Sequence, residues 1–420
     1  MKSGLMSDMT TENNDFFFFF DEVRTDLQGV ASYIDAKINE LKIKDNKGDA
    51  NASAMLFLNK GLFSIIEGEI KYRTGDYPGA STDFSEVEKL INRFQKASSD
   101  YTLDFQQEAE RLELFAKGRY SECLALQEGR ESEDAIAQLI EATNSYSLEA
   151  EIAINSKKQL LIYNAKARTN FVQGLVHRFE GEAATTKEDY RLAKKKHLAA
   201  YRSFLHASYF NPAYSIWIPE QNNTINATLL KLIKDKANKE WGIAFNFSNE
   251  GKFVKSSERC KDASKLFKRA SKLSVDPLDV AIMLGYSFML RASMYEAHAN
   301  EFIKNKNDAK SAIRQYELAS EALTEAISAY PTREGDQTIV KRWEAQQQFY
   351  SGHFYQSQGV YNLDQENYQE AIMLFNKADE IFEAALTIAE EVDEKSLIKF
   401  IQKSLAEAKG YIGMCKTVLD

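Results

Sequence analysis

The residues best suited to proton transfer or metal binding are five histidines, because imidazole titrates near neutrality and ligates metals. None has a glutamate three residues before it, so the Glu-x-x-His pair of carboxylate di-iron bundles is missing, and so is HExxH. The densest local cluster is Glu296, His298 and Glu301. On a helix, at about 100° per residue, Glu296 and His298 would lie about 200° apart. We therefore expect no metal site. The histidines are His177, His197, His206, His298 and His353.

Motifs for catalysis or cofactor binding do not occur either. The sequence has no GxxxxGK[ST] or GxGxxG phosphate-binding loop and no GxSxG nucleophile elbow. Cys123, Cys260 and Cys415 are far apart and lack CxxC spacing, which indicates buried thiols rather than disulfides or a zinc site. The sequence predicts a protein that is not an enzyme and has no cofactor. Catalysis assembled from residues distant in sequence is the alternative.

The placement of charge is the strongest indication of a binding function. Residues 1–154 hold 16 basic and 29 acidic side chains, residues 155–275 hold 23 and 10, and residues 276–420 hold 14 and 23. Their net charges are −13, +13 and −9, within an overall net charge of −9. A basic central segment, residues 155–275, thus separates two acidic ends. This predicts an acidic protein partner or self-association, because complementary charges speed association.

One stretch of the basic central segment is ordered as a helix face. If Lys261 stands at 0°, Lys265, Lys268 and Lys272 fall at about 40°, 340° and 20°, whereas Ala263 and Ala270 fall at about 200° and 180°. Basic side chains on the preceding helical segment extend the predicted patch. The interpretation without function is a solvated helix face. The candidate partner-binding residues are Arg191, Lys194, Lys195, Lys196, Arg202, Lys261, Lys265, Lys268 and Lys272.

The elements that position these side chains are predicted to be helices. Only five prolines and nineteen glycines interrupt 420 residues, and the frequent turn signals of β-proteins are missing. Residues 1–14 are polar and predict a disordered tail. Residues 15–45 predict an amphipathic helix. It starts with Phe16 to Phe20, which we interpret as a buried N-terminal anchor or, alternatively, as a hook for another subunit or a membrane surface.

A small, large, small pattern of residues recurs between residues 51 and 391. A small residue is followed by a large apolar one four positions on and a small one three further, which lets two helices approach closely while the large residue fills the gap. The last copy also has Gly359 and Tyr368 ahead of it. The copies are Ala135, Leu139, Ala142; Ala200, Phe204, Ala207; Ala263, Phe267, Ala270; Ala312, Tyr316, Ala319; Ala371, Phe375, Ala378; and a weaker Ala80, Phe84, Val87.

This pattern resembles the tetratricopeptide-repeat superfamily, in which such a triad lies on the second helix of each hairpin. The copies here are 49 to 65 residues apart, whereas the standard repeat has about 34 residues. Polar clusters fall midway, at residues 74–76, 128–130, 181–187, 248–251, 304–308 and 364–367. Helices of about 22 to 26 residues, about 35 Å long, fit between them. In style, such long hairpins are similar to the soluble attachment proteins of membrane fusion and to helical domains of endosomal-sorting adaptors.

The sequence thus predicts an all-α fold. Residues 51–391 form a right-handed array of about six long antiparallel hairpins, and residues 392–420, capped by Asp393, form a closing helix. No apolar run reaches the length of a membrane span and no signal peptide is recognisable, so we expect a cytoplasmic protein.

The resemblance implies a protein-interaction scaffold whose concave wall, formed by the first helices of the hairpins, accepts a peptide or helix. The alternative is a membrane-associated trafficking or remodelling adaptor that uses the basic central segment. Nucleic-acid binding is disfavoured by the sequence pI of about 5.4.

Overall fold

The computed structural model describes residues 27–47, 50–97, 103–130, 132–156, 159–331 and 337–419. These residues form α-helices joined by short turns, together with a 3₁₀ helix at Pro212–Ile216 and a π-helix at Glu301–Asn305, and they contain no strand. The predicted tail, residues 1–14, and the phenylalanines at 16–20 lie outside the described residues. In chain order the described helices are α1 (Leu27–Asp45), α2 (Ala50–Thr74), α3 (Tyr77–Ala97), α4 (Leu103–Gln127), α5 (Glu133–Asn155), α6 (Gln159–Thr186), α7 (Tyr190–Phe210), α8 (Trp217–Asn249), α9 (Phe253–Ser271), α10 (Pro277–Asn300), α11 (Ala309–Ala329), α12 (Gln337–Asp364), α13 (Tyr368–Glu391) and α14 (Lys395–Leu419).

The chain divides into two compact units, Met1–Thr228 and Leu229–Asp420, with the boundary inside α8. In the first unit, α1 to α7 pack in sequence, each on the next. In the second, α9 to α14 do the same, and α9 is joined to the end of α8 by a hydrogen bond of 2.8 Å from Ser256 Oγ to the carbonyl of Ala244. Sequential packing of helices, as in a helical solenoid, is thereby confirmed within each unit.

The residues of the repeat pattern are buried packing residues, as predicted. Every member of the six triads is at most 5% exposed, and each triad lies on the second of two successive helices. Opposite the large residue, the first helix often carries a glycine. A Cβ on Gly174 of α6 would lie 2.5 Å from the ring of Phe204 on α7. The missing side chain is what allows these helices to approach so closely.

Polar residues end the helices where the sequence pattern predicted turns. The clusters at residues 74–76, 128–130, 248–251 and 364–367 lie at the junctions between successive helices, where three of them overlap the last one or two residues of the preceding helix. The side chain of Ser132 accepts a hydrogen bond from the backbone at the start of α5, and Asp189 and Asp276 do so for α7 and α10. Such caps satisfy amides that have no partner within the helix.

Several predicted boundaries were wrong. Gly181 lies inside α6, where it faces His197, and the turn follows at residues 187–189, with Glu188 in the left-handed region at φ 58°. Asp393 does not cap the last helix, because it sits in the turn at φ 49° and α14 begins at Lys395. Helix lengths run from 19 residues in α9 to 33 in α8, wider than the predicted 22 to 26.

A buried ionic network joins helices of the first unit. The Arg119 guanidinium on α4 donates to Glu69 on α2 at 2.6 Å and pairs with Glu122 at 3.1 Å. Glu122 also accepts hydrogen bonds from the hydroxyls of Tyr72, at 2.8 Å, and Tyr146. All five residues except Tyr72 are at most 9% exposed. Burial and the neighbouring Glu122 carboxylate raise the pKa of Tyr146, so its hydroxyl remains a donor.

Candidate functional site

Helix α9 carries the predicted lysine stripe on its exposed side. Its opposite side is buried through Ala263, Phe267 and Ala270, the packing triad of this helix. Lys261, Lys265 and Lys268 are exposed, and Lys272, the residue that follows the helix, is exposed as well. The packing triad therefore directs the lysines outward, because the two sets lie about 180° apart at 100° per residue.

Three of these lysines line a concavity between α9 and α10. Its volume is about 260 Å³. We call it the α9–α10 groove. It is lined by Lys261, Ser264, Lys265 and Lys268 of α9 and by Ser287, Phe288, Arg291 and Met294 of α10. One wall is therefore basic, and the other combines an aromatic ring, a thioether and one guanidinium.

The base of the groove is held by contacts between the two helices. Ser264 Oγ donates to the carbonyl of Ser287 at 2.8 Å, and Ser287 Oγ donates to the carbonyl of Ser264 at 3.0 Å. This reciprocal pair consumes the hydroxyl hydrogens and brings α9 and α10 close together. The serines thus join the walls rather than offering donors to a ligand.

Arg291 is already engaged on the α10 wall. Its guanidinium pairs with Glu325 of α11 at 2.5 Å, and its Cζ lies 5.0 Å from the centre of the Phe288 ring. The ion pair offsets its charge and the ring contact fixes its position. The unneutralised positive charge of the groove therefore belongs mainly to the lysines of α9.

The four lysines of the stripe are not paired with carboxylates of the described residues. Within the described part of the chain, Lys261, Lys265, Lys268 and Lys272 form no ion pair within 4.0 Å. Residues 253–272 hold seven basic and two acidic side chains. The acidic residues, Glu258 and Asp262, are exposed and leave this stretch with a net charge of +5. Such a surface attracts anionic groups.

The positive field of the groove also acts on a neighbouring histidine. Burial lowers the pKa of His298 on α10, and the charges of Lys261 and Lys306 lower it further. A neutral His298 adds no charge to the site at neutral pH. The groove is thus basic through its lysines and not through a titrating imidazole.

The second predicted set of basic residues lies on α7, in the first unit. Arg191, Lys195 and Arg202 are exposed and Lys194 is half-buried. Lys196 points elsewhere, because its ammonium pairs with Glu180 of α6 at 2.7 Å. At about 100° per residue, Lys196 lies about 100° from Lys195 around the helix. Lys196 therefore does not share the exposed face of the other four.

Glu296, His298 and Glu301 do not converge. Glu296 accepts a hydrogen bond of 2.7 Å from the hydroxyl of Tyr350, and burial raises the pKa of its carboxyl. Glu301 instead accepts from Asn305 at 2.6 Å. Among the described residues, no group of three or more histidine, cysteine, aspartate or glutamate side chains is arranged to hold a metal ion.

The cysteines are buried and free, as predicted. Burial raises the pKa of Cys123 to about 12 and that of Cys260 to about 12, so both are thiols at neutral pH. A thiol is a poor nucleophile compared with a thiolate. Neither Cys123 nor Cys260 is therefore in the thiolate form that acts as a nucleophile.

The residues of α10 that line the groove were not predicted from the sequence. Phe288, Arg291 and Met294 lie outside the lysine stripe and form no motif of their own. Only the packing of α10 against α9 brings them to the groove. From the sequence, α9 and α10 are predicted to be successive helices. Their order along the chain does not specify which faces of the two helices pack together.

Comparisons with known proteins add no further information on the site. Within the described residues, no helix is both long and apolar enough to cross a membrane. No protein-family model matches the chain, and no curated protein sequence matches it.

Proposed function

We propose that this protein is a non-catalytic, cytoplasmic interaction scaffold that binds an acidic segment of a partner protein in the α9–α10 groove. In this proposal the helices form a tetratricopeptide-like, right-handed array of about six hairpins. The observation that carries it is a row of exposed lysines beside Phe288 and Met294 that form no ion pair with the residues the structure describes. An acidic segment with apolar side chains complements both walls of the groove.

The two walls contribute differently to binding. Exposed ion pairs are each worth only about 0.2 to 1 kcal/mol, so the lysines alone support weak binding. Burying apolar surface adds about 25 cal/mol per Å², which makes contacts with Phe288 and Met294 necessary for useful affinity. The charges chiefly speed association and reject basic partners. We expect a dissociation constant in the micromolar range, corresponding to about −8 kcal/mol.

The α9–α10 groove is a better candidate binding site than the predicted concave wall formed only by the first helices of the hairpins. It lies between α9, a second helix of the predicted hairpin pattern, and α10, the first helix of the next. Its lysines are exposed and form no ion pair within the described chain. Charge left unpaired by the fold is available to a partner.

A matched pair of charge reversals tests this function. The groove variant combines Lys261→Glu, Lys265→Glu, Lys268→Glu and Lys272→Glu. The α14 control variant combines Lys395→Glu, Lys399→Glu, Lys403→Glu and Lys416→Glu, which makes the same change in net charge on exposed lysines of the same unit. Proteins captured from the native host by wild-type chain are identified by mass spectrometry, purified and titrated by calorimetry. We expect an acidic partner whose binding is lost in the groove variant and kept in the control. Equal binding by both variants would rule out the groove.

An anionic membrane surface is the rival, favoured by the same unpaired lysines. The shape of the site argues against it. Phe288 and Met294 are partly buried within a concavity, whereas peripheral membrane binding relies on apolar side chains that insert into the bilayer. In liposome flotation with vesicles rich in phosphatidylserine, we expect no difference between wild type and the groove variant. Flotation that requires the four lysines would favour the membrane adaptor instead.

A further inference from the structure

We infer that the segment bound in the α9–α10 groove is an acidic amphipathic α-helix lying along α9, an inference that rests on the function proposed above. The lysines stand four, three and four residues apart. From Lys261 to Lys272 they cover about 16 Å along the axis, at 1.5 Å per residue. A ligand that satisfies all four must be elongated and must carry several negative charges.

The spacing of the lysines is that of one face of a helix. A second helix laid alongside α9 presents carboxylates at the same intervals when its acidic residues are also four, three and four apart. Each carboxylate then lies opposite one ammonium without a change in backbone geometry. This is the arrangement that pairs charges along the edges of two packed helices.

The two unlike walls distinguish a helix from an extended strand. The groove presents lysines from α9 next to Phe288 and Met294 from α10. Successive side chains of a strand point to opposite sides, so one strand cannot turn an acidic row and an adjacent apolar row into the same groove. On a helix, rows about 100° apart both face a concave surface. The groove therefore fits a helix with an acidic row beside an apolar row.

A single-stranded nucleic acid fits these walls poorly. Such ligands stack their bases on exposed aromatic rings. The Arg291 guanidinium, held by Glu325, lies 5.0 Å from the centre of the Phe288 ring, on the face where a base would stack; the ring is half-buried and still lines the groove. The net charge of −9 for the whole chain also opposes a polyanion outside the groove. The apolar wall favours a protein segment.

Two designed peptides test the inference with the full-length protein. The first is a fluorescein-labelled helix of about 22 residues with glutamates four, three and four apart and leucines in the adjacent row. The second has the same composition with the glutamates distributed around the helix, and polyglutamate serves as an unpatterned anion. Fluorescence anisotropy should show the patterned helix binding at least tenfold more tightly than the other two. If all three peptides bind with comparable affinity and the groove variant binds none of them, the inference that the bound segment is a patterned helix is wrong. The proposal of an acidic partner would still stand.

Two protein variants locate the bound helix. The groove variant should lose the patterned peptide and the α14 control variant should retain it. Met294→Gln should weaken the patterned peptide at least tenfold but leave polyglutamate binding unchanged, because it removes an apolar contact without changing the charge of the groove, and only the helix has an apolar row to place on α10. Unchanged binding in the groove variant or in Met294→Gln would overturn the proposed placement, provided that circular dichroism shows both variants folded. Failure of the captured partner to bind at the groove, in the calorimetric test above, would instead remove the proposed function itself.

Discussion

A methyl group on Gly359 of α12 would lie 2.6 Å from Cε1 of the Phe375 ring on α13. Non-bonded carbons do not approach this closely, so the ring occupies the space that a side chain at position 359 would need. Gly174 and Phe204 repeat the relationship in the first unit, at 2.5 Å. The large residue of the repeat pattern is therefore packed against backbone on the neighbouring helix.

Gly359→Ala should destabilise the protein. The added methyl group overpacks the contact with Phe375, at a cost of about 1 to 3 kcal/mol. Gly410→Ala is the matched control, because Gly410 is also helical but has nothing within 4 Å of the new methyl group. The control should be stabilising by about 0.5 to 1 kcal/mol through helix propensity. Urea denaturation measures both, and shifts of the same sign would contradict the close approach at Gly359.

Ala270→Leu and Ala371→Leu should each be destabilising as well. Both alanines are 0% exposed and face neighbouring helices, so three added carbons cost about 1 to 3 kcal/mol in strain. Ala384→Leu, at an exposed position of α13, should leave the thermal midpoint nearly unchanged. Midpoints that do not distinguish the buried positions from Ala384 would mean that the repeat alanines are not packing sites.

Arg119→Met should strongly destabilise the first unit. It removes the guanidinium that pairs with both buried carboxylates, leaving Glu122 uncompensated and Glu69 with the longer 3.8 Å pair to Arg73, a loss of about 3 to 5 kcal/mol. Arg314→Met breaks an exposed pair with Glu317 and should have no measurable effect. Adding Glu69→Gln and Glu122→Gln to Arg119→Met should restore part of the stability in chemical denaturation. No recovery would show that Arg119 acts through packing rather than charge.

His353 should make the second unit sensitive to acid. It stacks on Tyr316 with ring centres 5.0 Å apart, and burial lowers its pKa to about 4. The unfolded value is about 6.5, so the folded state favours the neutral ring. Its stabilising contribution is therefore present above pH 6.5 and is lost as the pH falls towards 4, by up to about 1.4 kcal/mol per pH unit.

Urea denaturation between pH 7 and pH 4 measures this contribution. His353→Gln should flatten the pH dependence of the free energy of unfolding in that range. His206→Gln, at an exposed position, should leave it as in the wild type. Parallel curves for the wild type and His353→Gln would mean that His353 does not titrate differently in the folded and unfolded states.

Binding at the α9–α10 groove should weaken between about 50 and 300 mM salt. The Debye length is about 8 Å at physiological ionic strength, so exposed charge pairs are screened in this range. The affinity of the patterned peptide and the sedimentation coefficient of the purified protein should be followed together. The groove variant should show less salt dependence than the α14 control variant. If neither the peptide affinity nor the sedimentation coefficient changes with salt or with charge reversal, the lysine stripe is only a solvated helix face.

The sequence alone was informative wherever structure depends on neighbours along the chain. Within each triad the residues stand four and three positions apart, which is the geometry of one face of a helix, and all of them are buried. The same periodicity placed Lys261, Lys265 and Lys268 opposite Ala263 and Ala270, and the structure shows these lysines exposed. Periodicity failed at boundaries such as Asp393, because helix ends depend on one or two residues and on local φ angles.

Tertiary structure decided everything that joins separate helices. The second wall of the groove, with Phe288 and Met294, exists because α10 packs on α9 in one particular rotation. The network around Arg119 collects carboxylates and hydroxyls from positions up to 50 residues away. Sequence periodicity identifies which face of a helix is buried but not which residues of another helix it meets. The physical reason is that burial is set by the helix itself, whereas the partner face is selected by packing of complementary shapes and charges between helices.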